Sequence, residues 1–147
     1  MSTVHLNLGS NLGDSRTVSA RAIVMLARAL SPARLALSDY VTSPAWGFES
    51  ANMFTNRGVM ITTERQLAPM DVLRATQAVE KALGAATPHR NSDGSYRDRL
   101  IDIDIIDIDR LHIDTPQLTL PHPRMHLREF VTGLLLQLEP GYPTPSR

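Results

Sequence analysis

Residues 101–109 read IDIDIIDID. Alternating isoleucine is a strong strand signal, whereas aspartate is a poor strand former because its side chain competes for the backbone. A stretch containing both has few ways to fold. Alternate residues of a strand share a face. Ile101, Ile103 and Ile105 therefore make one apolar face, with Asp102 and Asp104 on the other. The phase slips at Ile105–Ile106, which is expected to send Asp107 and Asp109 to the opposite face from the first aspartate pair. One face of this strand must be buried and the other must stay accessible.

The rest of the chain supplies partners for such a strand. In residues 3–11 Val4, Leu6 and Leu8 alternate on one face. The following GSNLGDS turn offers Asp14 or Ser15 as a helix cap. Residues 16–30 repeat Val18, Ala22, Met25, Leu26 and Ala29 at helical spacing. Strands are expected over 33–43 and 53–64, with 44–52 irregular between them around Pro44 and Gly47. A second helix is expected over 70–83, with Pro69 at its start and Gly84 stopping it. Residues 84–97 read as a long polar loop, of which 85–97 are expected to act as a lid. A short extended stretch between prolines leads to a last helix over 126–138, and EPGYPTPSR is expected to fray.

The order β, α, β, β, α, β and a terminal helix is that of an α+β ferredoxin-like sandwich. Its sheet is mainly antiparallel, with helices on one face and the ligand site on the other face and its loops. At 147 residues the chain suits one domain over 1–147. Fifteen Lys and Arg balance 15 Asp and Glu, which marks no electrostatic binder of nucleic acid or anionic membrane. There is no cysteine, so disulfides and thiolate metal sites are excluded. With no apolar run of membrane-spanning length and no signal-peptide pattern, a cytoplasmic protein is expected.

Two readings of the aspartate strand meet here. Charges on an edge strand can simply block aggregation. That reading suits Asp107 and Asp109, which sit towards a loop. Asp102 and Asp104 differ, because their Cβ atoms stand roughly 6 to 7 Å apart on one face and can converge on a hard cation. Arg97 and Arg99 come just before them. Carboxylates that hold a metal, beside arginines that take phosphate oxygens, are what a magnesium–polyphosphate site needs.

In RLIDIDII (99–106) the chain resembles the 6-hydroxymethyl-7,8-dihydropterin pyrophosphokinases of folate synthesis. LNLGSNLGD (6–14), TSPAWG (42–47), FTNRGV (54–59), TQAVEKALG (76–84) and LPHPRMHLREFV (120–131) carry the resemblance along nearly the whole chain, in the family's order. The resemblance implies transfer of pyrophosphate from ATP to the hydroxymethyl group of the dihydropterin, with two Mg2+ ions held by Asp102 and Asp104. It implies a catalytic group of Asp102, Asp104, Arg99 and Arg90. It implies a pterin pocket of Ser43, Pro44, Trp46, Phe54, Asn56, Tyr96 and Phe130, the rings of Phe54 and Phe130 stacking on the heterocycle. ATP would meet Gln77, Glu80, Tyr96, Arg99, Ile105, Thr119, His122 and Arg128. Partners would be these small molecules, not nucleic acid or membrane, and a monomer is expected. The chain departs from the family in its loop: GAATPHRNSDGSYRDR lacks the arginines usual after the glycine, and Tyr96 stands where tryptophan is common. Competing expectations are a non-catalytic ligand-binding module and a metal-dependent phosphohydrolase on the same sandwich.

Overall fold

The computed structural model of the chain describes residues 1–11, 14–43, 53–84 and 101–143. Its elements are β1 (Ser2–Ser10), α1 (Ser15–Ala29), β2 (Ala33–Ser43), β3 (Phe54–Thr63), α2 (Pro69–Ala82), β4 (Asp102–Ile108), β5 (Ile113–Asp114), β6 (Thr119–Leu120) and α3 (Glu129–Leu138). The main sheet runs β2-β3-β1-β4 and every neighbouring pair is antiparallel. β1 and β2 are thus parallel strands split by β3, and β3 and β4 are parallel strands split by β1. This is the expected α+β ferredoxin-like sandwich.

Local chemistry sets the element ends. Asp14 caps α1, its carboxylate accepting from Thr17 N at 3.4 Å and Thr17 Oγ1 at 2.8 Å. Pro69 opens α2, and Gly84, at φ 87°, closes it in the left-handed conformation that favours glycine.

Both crossover helices pack on one face. Ala22, Ile23 and Leu26 of α1 and Val72 and Val79 of α2 bury Val4, Leu6, Leu8, Val59, Ile61, Ile103, Ile105 and Ile108. Each fully buried aliphatic side chain contributes about 1.5–3 kcal/mol to stability. α3 differs from the expectation that the helices share one face. It crosses the opposite face, where a Cβ at Gly58 would stand 3.2 Å from Leu134 Cβ and 3.2 Å from Leu138 Cδ1. The apolar side of α3 needs cover, and the absence of a side chain at Gly58 lets it approach the sheet.

The phase slip in β4 is a β-bulge, but its effect is the reverse of that expected. Leu6 pairs with Ile105 and His5 with Asp107, leaving Ile106 as the extra residue. Ile106 packs under α3 with Met125, Val131, Leu135 and Tyr142. The inserted residue keeps Asp107 on the face of Asp102 and Asp104 and returns Ile108 to the main core. Asp107 is not a solvated charge either. It is buried, accepting from Tyr142 Oη at 2.8 Å and from Arg110 N at 3.0 Å.

Two further expectations change. The last helix starts at Glu129, after a 3-10 turn at Met125–Leu127, because Arg128 adopts an extended backbone (φ −124°, ψ 86°). The tail is pinned as far as Tyr142. That ring meets His5 edge-on at 5.6 Å, and the Arg110 guanidinium lies 4.1 Å above it.

Candidate active site

Strand register brings the site residues into rows. Asn56 of β3, Gly9 of β1 and Asp102 of β4 stand abreast, and the next row holds Gly58, Asn7 and Asp104. Both rows are on the face away from α1 and α2, because Leu6 and Leu8, which flank Asn7 in β1, point into the main core. α3 covers this face over Gly58, so the Asn56–Gly9–Asp102 row lies at its margin.

Asn56 is buried and tightly oriented. Its Nδ2 donates to Ser43 Oγ at 2.7 Å, to Val41 O at 3.3 Å and to Phe54 O at 3.4 Å. Its Oδ1 and the Phe54 ring converge over Gly9, where a Cβ would stand 3.1 Å from Asn56 Oδ1 and 3.4 Å from Phe54 Cδ1. Gly9 therefore leaves room beside an amide and an aromatic edge, the groups a flat heterocycle with polar edges requires.

Across the sheet, Arg128 Nη1 donates to Asp104 Oδ2 at 3.1 Å, with the two side chains 15% and 24% exposed. The extended backbone that delays α3 also swings this arginine back over β4. Its guanidinium carbon sits 5.0 Å above the Phe130 ring. Phe130 packs at the edge of the cluster under α3, close to the site. His122 N donates to Ile106 O, the carbonyl of the bulge, at 2.8 Å, and its Nδ1 accepts from Arg124 N at 3.2 Å. Burial pushes the His122 imidazole below its ordinary pKa. Asp104 opposes that shift, and Arg128 and Arg124 reinforce it.

The remaining expected residues divide. Gln77 is exposed on α2, while Glu80 on the same helix accepts Ile103 N–H at 3.0 Å and so supports β4. The Ile105 side chain lies in the core between the sheet and α1 and α2. Thr119 is half-buried in β6, opposite Asp114. Pro44, Trp46, Arg90, Tyr96, Arg97 and Arg99, and with them the expected lid over 85–97, lie outside the described residues. Asn7 was not among the expected site residues. It is buried in the row of Asp104, and among the described residues its Oδ1 has no hydrogen-bond partner. A polar residue alternating with Leu6 and Leu8 was the available signal.

Asp102 and Asp104 fit a hard divalent cation. They are partly exposed, share a face and present only oxygen. Among the described residues no group of three or more His, Cys, Asp and Glu could hold a metal. Two carboxylates suit an ion that completes its shell with phosphate oxygens and water.

A carboxylate pair on a sheet face, one row from an oriented amide and an aromatic ring, has the makings of a group-transfer enzyme with a flat acceptor. The chain belongs to the 7,8-dihydro-6-hydroxymethylpterin-pyrophosphokinase family, whose model matches residues 5–140. A protein of Porphyromonas gingivalis called 2-amino-4-hydroxy-6-hydroxymethyldihydropteridine pyrophosphokinase is 40% identical over 155 residues, covering 99% of each chain. Relatives with the same name are 35% identical in Bacillus subtilis, over 91% of this chain and 76% of the relative, and 35% identical in Aquifex aeolicus, over 96% and 82%.

Proposed function

We propose that this chain transfers the β,γ-pyrophosphoryl group of ATP to the hydroxymethyl oxygen of 6-hydroxymethyl-7,8-dihydropterin in folate synthesis. The new bond joins that oxygen to the β-phosphorus. The bond from the β-phosphorus to the oxygen bridging it to the α-phosphate breaks, AMP leaves, and the hydroxyl proton is released. The observation that carries this reading is the row Asn56–Gly9–Asp102, which sets an amide and a ring beside the first of two same-face carboxylates. The family membership carries the same way.

Asp102 and Asp104 would hold two Mg2+ ions. When bound, these supply charge neutralisation for the triphosphate and polarise the attacked phosphorus. Arg128 and His122 would bind phosphate oxygens, Arg128 as a fixed cation and His122 as a neutral hydrogen-bonding group. Asn56 would pair with the pterin edge, while Phe54 and Phe130 stack on its faces. No strong base adjoins the acceptor among these residues, so orientation and charge carry the rate. Pro44, Trp46, Arg90, Tyr96 and Arg99 are proposed on the resemblance of their segments. We read the protein as one domain over 1–147, acting as a cytoplasmic monomer on small molecules.

The test is incubation of the purified protein with ATP, Mg2+ and the hydroxymethyl-dihydropterin. AMP and the pterin pyrophosphate should appear in equal amounts. Inorganic phosphate and ADP without a pterin product would reject the reading in favour of a phosphohydrolase.

A further inference from the structure

We propose that one buried water sits between β1 and α3 and joins His5 to Asn7, fixing the amide that stands beside Asp104. The site is a cavity of about 10 Å³, walled by His5, Asn7, Gly58, Ile106, Leu134 and Leu138 among others. Two of these residues bring polar groups. His5 is 1% exposed and Asn7 3%. Among the described residues His5 Nδ1 and Asn7 Oδ1 have no hydrogen-bond partner. A buried polar atom left unpaired destabilises a fold, so both call for a partner in this space.

His5 is held from two sides. Its Nε2 meets Glu139 Oε1 at 2.9 Å, and Tyr142 meets the ring edge-on at 5.6 Å. The ring cannot turn to offer Nδ1 elsewhere without giving up both contacts. The hydrogen bond from Arg110, and then the bond from His5, hold Glu139 as a carboxylate. A carboxylate only accepts, so Nε2 carries the proton and Nδ1 of the neutral ring is an acceptor. Asn7 Oδ1 is an acceptor as well, and two acceptors cannot bond to each other. The residues are also alternate members of one strand, with Cβ atoms roughly 6 to 7 Å apart. A water removes the conflict by donating one O–H to each. Such a molecule needs about 10–15 Å³ of space and two or more polar partners, which the cavity provides.

The water extends a chain of contacts across the sheet face. Arg110 bonds Glu139 at the end of α3, Glu139 bonds His5, and the water carries the chain to Asn7. Asn7 pairs across β1 and β4 with Asp104. With Oδ1 held inward, the amide presents its N–H donors on the side away from the cavity. His5 is therefore a positioning residue, acting on the carboxylate row only through the water and Asn7.

Nuclear magnetic resonance on the full isotope-labelled chain tests this without turnover. In wild type, the Asn7 side-chain amide and the Leu134 methyls should show Overhauser cross-peaks to a long-lived water. The His5 Nδ1 resonance should be that of a hydrogen-bonded acceptor. Asn7→Leu should lose the water cross-peaks and move Nδ1 to the position of a free acceptor. Asn7→Ser keeps an acceptor and should retain both signals. His5→Phe should lose the cross-peak at Asn7. Wild-type protein with no water cross-peak at Asn7 or Leu134 overturns the proposal by itself, so a variant that fails to fold does not protect it. Leu134 cross-peaks that survive in Asn7→Leu with Nδ1 unmoved would overturn it too, because the water would not depend on the amide.

Discussion

Asp107→Asn and Asp104→Asn, three positions apart in one strand, should fail in different ways. Asp107 is 2% exposed, accepts from Tyr142 Oη at 2.8 Å and from Arg110 N at 3.0 Å, and lies 3.8 Å from the Arg110 guanidinium. An asparagine can keep its oxygen on Arg110 N and turn its amide towards the tyrosine hydroxyl, which can accept. The loss is then one charge-assisted bond and the attraction to Arg110, about 1.5–3 kcal/mol. For a chain of this size each kcal/mol lowers Tm by about 2–4 °C, giving a fall of roughly 3–12 °C. Turnover per folded molecule should hardly change. Asp104→Asn removes the charge from an ion pair whose side chains are 15% and 24% exposed but leaves an amide oxygen for Arg128, so stability should fall by about 1–3 kcal/mol. Turnover should drop by about 10³, the equivalent of roughly 4 kcal/mol of metal-borne charge stabilisation. Urea titration and an AMP-release assay on the same preparations separate the two effects. An Asp107→Asn protein with an unchanged denaturation midpoint and lost turnover would refute the division of labour drawn from the bulge.

Gly9→Ala probes the close approach at the centre of the site. Its Cβ would stand 3.1 Å from Asn56 Oδ1 and 3.4 Å from Phe54 Cδ1, so Asn56 must shift and calorimetry with a pterin analogue should show about 1–2 kcal/mol of lost affinity; unchanged affinity would mean that the pterin does not use this amide. Acid stability should depend on Glu139. The hydrogen bond from Arg110, and then the bond from His5, hold its carboxyl below the ordinary glutamate value of 4.5. A carboxylate whose folded pKa is depressed stabilises fully above its unfolded pKa, and the contribution is lost as pH falls through the folded value. Stability should therefore begin to fall near pH 4.5, and Glu139→Gln should flatten that part of the curve; a variant with the wild-type acid profile would rule this out.

The amino-acid sequence by itself determined the sandwich. Alternation in β1, β3 and β4, helical spacing in α1 and α2, and stop signals at Asp14, Pro69 and Gly84 act within a few residues of themselves, so each is visible without the fold. The register that sets Asn56, Gly9 and Asp102 abreast is not local. It depends on which strands become neighbours, and β3 and β4 are nearly fifty residues apart. The same holds for the errors. A change of phase at Ile106 is legible, but whether it turns Asp107 outward or inward depends on what waits on either face. The main core claimed Ile108, and α3 with Tyr142 claimed Ile106 and Asp107. Arg128 reads as helix because its neighbours have helical spacing. The fold sets that residue against the Asp104 carboxylate across the site, a contact that no local pattern in the sequence reveals.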